Sequence, residues 1–236
     1  MSLAEQSREF LDYVEQWLQE RQPARLAELL EAAGGPAQAA LFCVDVINGF
    51  CRAGPLAGPR VGAIVAPIRS LVQLAYGQGV RRFILPQDAH PADSPEFADF
   101  GPHCLAGTEE AETVPELQAL PFAAEFTIVP KRSIASHLGT GLPDLIARDG
   151  LPRLALAVGD CTDLCLYQLA MWLKLTANAT GAPCRVVVPV DCVDTYDLPL
   201  PVARQLGATP HDGDLLHAVF LYHLALNGVE VVGRVE

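Results

Sequence analysis

The chain has 236 residues, half of them hydrophobic and 19% charged, with a formal net charge of −12. Such a chain is globular, can bury a substantial core and is not intrinsically disordered. Its acidic balance argues against nucleic-acid phosphates and anionic membrane surfaces as partners, because both demand clustered Lys and Arg.

Residues 2–33 read as helical. Phe10, Leu11, Val14, Trp17 and Leu18 form one apolar stripe. Gln22-Pro23 divides the segment into two helices, the second carrying Leu26, Leu29 and Leu30, and Gly34-Gly35-Pro36 ends it. We take residues 1–38 as a helical arm and 39–236 as the main domain. The stripe is too large to leave in water without a partner surface, so the arm is expected to pack on the domain or on a neighbouring subunit of a homo-oligomer. No run reaches the ~18 apolar residues of a membrane span. The opening MSLAEQSREF lacks the basic and apolar regions of a secretory leader, and seven cysteines without framework spacing fit reduced thiols. A cytoplasmic protein without membrane or nucleic-acid partners is expected.

From residue 39 the pattern changes. Apolar runs at 40–47, 81–88, 126–131, 153–160, 184–191 and 229–235 alternate with helical stretches near 60–78, 112–119, 141–148, 163–179 and 212–226. Continuous rather than alternating apolar strands mean that both sheet faces are covered. Strand-helix alternation then predicts an α/β fold with a doubly wound parallel sheet.

Open α/β sheets bind ligands outside the carboxyl ends of their strands. Here those ends carry Asp45, Asp88, Lys131, the segment Gly159-Asp160-Cys161-Thr162-Asp163-Leu164-Cys165, and Asp191. Ionisable groups at the tips of apolar strands are costly unless paired or functional. Cys165 opens an apolar helix, where the helix dipole favours a thiolate. Free cysteines are mostly inert core, and Cys43 and Cys184 inside apolar strands fit that description. Cys165 differs in that Asp45 and Lys131 should converge on it. Asp45 would act as general base and Lys131 would hold it ionised. A buried Asp–Lys ion pair without a catalytic role accounts for the spacing equally well. Asp88 and His90 project to one side of extended chain, and with Glu96 and His103 they form a donor set suited to Zn, Mn or Fe, although polar loops often hold such residues.

These residues carry a family resemblance. VGDCTDLC (158–165) resembles the GxxTDxC segment of isochorismatase-like cysteine hydrolases, VDVINGF (44–50) their first-strand motif and PKRS (130–133) their lysine segment. DAHPADSPEF…FGPHCLAGTE (88–109) looks like the metal loop of nicotinamidases within that superfamily. The resemblance implies a six-stranded parallel sheet, a triad of Asp45, Lys131 and Cys165, and a divalent transition ion on Asp88, His90, Glu96 and His103. It further implies a cis peptide between Asp160 and Cys161, an oxyanion hole from the N–H groups of Cys161 and Cys165, and Phe50 and Phe100 flanking the substrate. The activity implied is hydrolysis of a small carboxamide, nicotinamide foremost, through a thioester. An isochorismatase acting on a vinyl ether, a hydrolase of another small carbamoyl compound and a catalytically silent scaffold are the alternatives. The chain departs from the family at Asp160, where a small apolar residue is common. A second departure is His137-Leu138, where a pocket aromatic is usual.

Overall fold

The six apolar runs become strands β1 (Ala39–Val44), β2 (Arg82–Asp88), β3 (Thr127–Lys131), β4 (Leu154–Asp160), β5 (Arg185–Pro189) and β7 (Glu230–Val232). The computed structural model describes all 236 residues. All strand pairs are parallel, in the order β3-β2-β1-β4-β5-β7. The expected doubly wound sheet is therefore present, with one addition. A two-residue strand β6 (Val193–Asp194) pairs with the tip of β4, setting Asp160 opposite Asp194.

Alternation along the strands splits the core in two. Leu41 and Cys43 of β1 face one side with Leu154, Leu156 and Val158 of β4. Phe42 and Val44 face the other with Ala155 and Ala157. Helices α2 (Leu26–Ala33) and α3 (Val65–Gly77) cover the first side. Helices α4 (Leu142–Asp149), α5 (Cys165–Thr180) and α6 (Gly213–Leu226) cover the second. Helices on both faces are what continuous apolar strands require.

Helix α1 (Leu3–Gln19) lies outside these layers. Ser2 caps it, accepting the Glu5 N–H at 3.3 Å while the Glu5 carboxylate accepts the Ser2 N–H at 2.7 Å. Its stripe packs on α6, with Phe10, Tyr13 and Trp17 meeting the Tyr222 ring edge-on at 5.3–5.9 Å. Val14 is buried, whereas Phe10, Leu11 and Tyr13 stay exposed. No helix is long and apolar enough to cross a membrane.

One helical expectation changes: the stretch near 112–119 forms only the turn Pro115–Gln118. A further helix, Leu200–Leu206, was not anticipated, and its proline sits in the first turn, where it is tolerated.

Candidate active site

Four strand tips and the loops after them build the site. Gly159, at φ +112°, sits so close to β1 that any Cβ would collide with the Val44 carbonyl. That close approach brings the ends of β1 and β4 together. Asp45 follows β1 at φ 53°, a left-handed conformation that Asp tolerates better than bulky residues. Its N–H donates to the Pro86 carbonyl at 2.9 Å and its Oδ1 accepts the Asp88 N–H at 2.8 Å. The tips of β1 and β2 thus fix Asp45 before any catalytic partner is considered.

Lys131 is fully buried at the centre of the cluster. Its Nζ lies 2.7 Å from Asp45 Oδ2, donates to Asp88 Oδ1 at 2.6 Å and reaches Cys165 Sγ at 3.4 Å. Ligand atoms of Asp45, Asp88 and Cys165 lie within 4.8 Å of one another around this ammonium. Two carboxylates hold the Lys131 pKa well above its usual value, against burial. Burial pushes the Asp45 carboxyl up to about 7, with the Asp88 charge adding and Lys131 opposing. For Asp88 the balance reverses, since Lys131 and His90 outweigh burial and lower its pKa.

The helix N-terminus is not the only influence on Cys165. Burial raises the Cys165 pKa well above the ordinary thiol value, further than Lys131 lowers it, and Asp45 and Asp88 add to the rise. This balance favours the thiol form, for which a neighbouring base such as Asp45 suits the attack. Cys165 is the first residue of α5, and the Asp160–Cys161 peptide bond is cis. Neither the Cys161 N–H nor the Cys165 N–H donates to any acceptor in the protein. All seven cysteines are free and buried.

Beside this cluster, one ligand atom each from Asp88, His90, Glu96 and His103 lie within 4.8 Å of one another. The two imidazoles are oriented from behind. His103 Nδ1 donates to the Gly101 carbonyl at 2.8 Å, which leaves Nε2 as the free lone pair, 3.9 Å from Asp88 Oδ2. His90 Nδ1 is engaged with Ser94 Oγ at 3.2 Å, and its buried Nε2 makes no well-aligned hydrogen bond, lying 3.3 Å from Asp88 Oδ1. A buried imidazole nitrogen left without a hydrogen bond beside a carboxylate is what a divalent cation would satisfy. This donor set fits such an ion.

Aromatic rings line the loop. Phe50 and Phe100 approach the His103 ring at 5.8 and 6.4 Å. Phe97 was not anticipated, yet it lies 5.4 Å from His90 and 5.6 Å from His103, closer than either. His137, after Lys131, stacks on Trp172 of α5.

A second unforeseen set grips the turn between β4 and α5. The Asp163 carboxylate accepts the Thr195 hydroxyl at 2.6 Å and the His211 Nε2 at 2.7 Å. Thr162 engages His217 Nδ1 at 2.9 Å through its hydroxyl. Asp163 stood in a recognised motif, but no local pattern marks His211 or His217.

The chain is similar to proteins already described. The chain is 31% identical over 210 residues to nicotinamidase 1 of Arabidopsis thaliana, covering 83% of this chain and 86% of that protein. Among solved structures, a nicotinamidase from Bacillus subtilis superposes with a TM-score of 0.63 at 24% identity, over 83% of this chain and 99% of that one. An N-carbamoylsarcosine amidase from Thermoplasma acidophilum gives 0.61 at 23% identity, over 82% and 95%. The Isochorismatase domain matches residues 39–206, and with that match covering the whole stretch from β1 past the cysteine turn, the chain belongs to the isochorismatase family.

Proposed function

We propose that this family member is a cysteine amidohydrolase that converts nicotinamide to nicotinate and ammonia. The observation that supports it most is the contact of Lys131 with Asp45, Asp88 and Cys165 in one buried cluster. Asp45 takes the thiol proton as Cys165 Sγ attacks the carboxamide carbon. The N–H groups of Cys161 and Cys165, which have no acceptor in the protein, receive the developing oxyanion. The C–N bond breaks, and Asp45 returns the proton to the departing ammonia. A water deprotonated by Asp45 then attacks the thioester, releasing the carboxylic acid and restoring the thiol. Lys131 keeps the charge of this sequence tolerable in a buried site.

Asp88, His90, Glu96 and His103 would hold one divalent transition ion (Zn, Mn or Fe), which when bound supplies a Lewis-acid contact that orients the substrate. Phe50, Phe97 and Phe100 flank that position and favour a flat ring. The exposed Leu138 where a pocket aromatic is usual favours, as the second reading, a small carbamoyl compound. A cytoplasmic location suits seven free thiols, and the exposed Phe10, Leu11 and Tyr13 of α1 support homo-oligomer formation.

Ammonia release over a panel of small carboxamides tests the reading. Nicotinamide should be turned over, and Cys165→Ala should lose several orders of magnitude in kcat, on the order of 10^4 or more. Cys161→Ala should keep much of the activity, since that residue contributes a backbone N–H. Turnover undiminished in Cys165→Ala, or no carboxamide accepted, overturns it.

A further inference from the structure

We propose that His211, acting through Asp163, is a positioning residue that holds the Cys161 and Cys165 N–H groups on target. This rests on the reading of those groups as oxyanion donors.

The turn 161–164 lies between β4 and α5, and Cys165 opens the helix that follows it. The Thr162 N–H donates to the Asp194 carbonyl at 3.0 Å, and the Asp163 carboxylate is gripped on both oxygens by Thr195 and His211. His211 is itself fixed at every polar atom. Its backbone exchanges hydrogen bonds with Leu198 at 2.9 and 2.7 Å, and its ring stacks on Tyr196 at 3.8 Å. Its Nδ1 faces the Tyr196 carbonyl at 2.9 Å while its Nε2 faces Asp163. Both nitrogens thus face oxygen atoms, which fixes the ring in its plane. Its partner on the turn is a carboxylate, and a hydrogen bond to an ionised carboxylate is about twice as strong as a neutral one.

The strap 194–196 that supplies the other contacts is anchored independently. Arg60 donates through Nη2 to Asp194 Oδ1 at 2.8 Å and through Nε to the Thr195 carbonyl at 3.1 Å. His211 therefore links a rigid strap to a turn whose two N–H groups must meet a developing charge. Misplacing a catalytic group by an ångström can cost about a hundredfold, and losing one oxyanion donor about a hundred- to a thousandfold. A loosened turn should weaken transition-state contacts and leave substrate binding intact.

The test uses the full chain and the carboxamide that the wild type turns over, with the matching aldehyde as a probe. The Cys165 thiol adds across the aldehyde C=O, forming an S–C bond and an adduct whose oxygen occupies the proposed hole. His211→Leu should lower kcat by about tenfold or more, leave KM unchanged and weaken aldehyde inhibition in parallel with kcat. His211→Gln, which keeps a donor near the Nε2 position, should recover part of that loss. Thr195→Val, which removes the other grip on Asp163, should show the same kcat and aldehyde losses and decides the matter if His211→Leu does not fold. Folded variants with full kcat, or with losses in KM alone and unaltered aldehyde inhibition, overturn the proposal. An inactive wild type, or an active Cys165→Ala, overturns the proposed function instead.

Discussion

Asp160 carries a carboxyl group that no cation contacts directly, Lys131 opposing its charge only from a distance. It is buried at the tip of β4, its Oδ2 has no hydrogen-bond partner, and the Cys161 thiol reaches its Oδ1 only at 3.9 Å. The register that pairs Val44 with Gly159 sets it beside Asp45. Burial, then the Asp45 charge, push its pKa well above the usual carboxylate value. An acid with a raised folded-state pKa keeps its proton when the unfolded chain has released it, so its contribution to stability falls as pH rises above about 4. Asp160→Asn removes that dependence. The variant's unfolding free energy relative to wild type should therefore improve between pH 5 and pH 8, by up to about 1.4 kcal/mol per unit while Asp160 stays protonated. Urea unfolding at both pH values measures this, and a difference that does not vary with pH refutes it. The sequence marked Asp160 as unusual, and it placed Asp45, Lys131 and Cys165 at strand tips, because charge inside apolar runs is visible in one dimension. It did not reveal that the surroundings of Cys165 favour its thiol form. That outcome depends on burial and on two carboxylates from other strands.

Helices show the same division between local and distant information. Periodicity identified α1, α2, α5 and α6, since an apolar stripe is a property of a single segment. It could not say that α1 would lie on α6 while α2 joined the sheet core, because both carry similar stripes. The structure separates their roles. Leu26, Leu29, Leu30 and Ala33 of α2 are buried against β1 and β4, and the Leu26 N–H donates to the Glu236 carbonyl at 2.8 Å. Each such leucine is worth about 2 kcal/mol when buried, against a total stability of about 5–15 kcal/mol for a typical domain. Deleting residues 1–20 should lower the melting temperature by several degrees and dissolve any oligomer built on the α1 face, with ammonia release retained. Deleting residues 1–36 should prevent folding. Calorimetry and light scattering on the two truncations check this, and a stable, folded protein lacking residues 1–36 would make α2 an appendage.

At the scale of the molecule, the parallel sheet turns separate sequence features into one site. Parallel strands bring all their carboxyl ends to one edge, so Asp45, Asp88, Lys131 and Cys165 meet although they span much of the chain. This much follows from strand-helix alternation alone. The approach of His211 to Asp163 does not, because it depends on how the segment after β6 returns across the turn. The proposed cation donors hold an intermediate place. Asp88 and His90 are local, whereas His103 comes back through a loop tied by the His90 N–H to the Cys104 carbonyl at 3.0 Å. Such a donor set exists only in the folded chain, so an ion held there stabilises the fold by RT ln(1 + [ion]/Kd), about 2.7 kcal/mol at a hundredfold excess over Kd. Stripping the protein with a chelator should lower its melting temperature, and adding back Zn, Mn or Fe should restore it. His90→Ala and His103→Ala should melt at one temperature with or without the ion and should purify without bound metal. Both should lose activity mainly through a raised KM, as expected of an orienting ion. Equal melting shifts in the wild type and in both variants would place the ion elsewhere on the molecule, and chelated protein with full activity and unchanged melting would remove it from the site altogether.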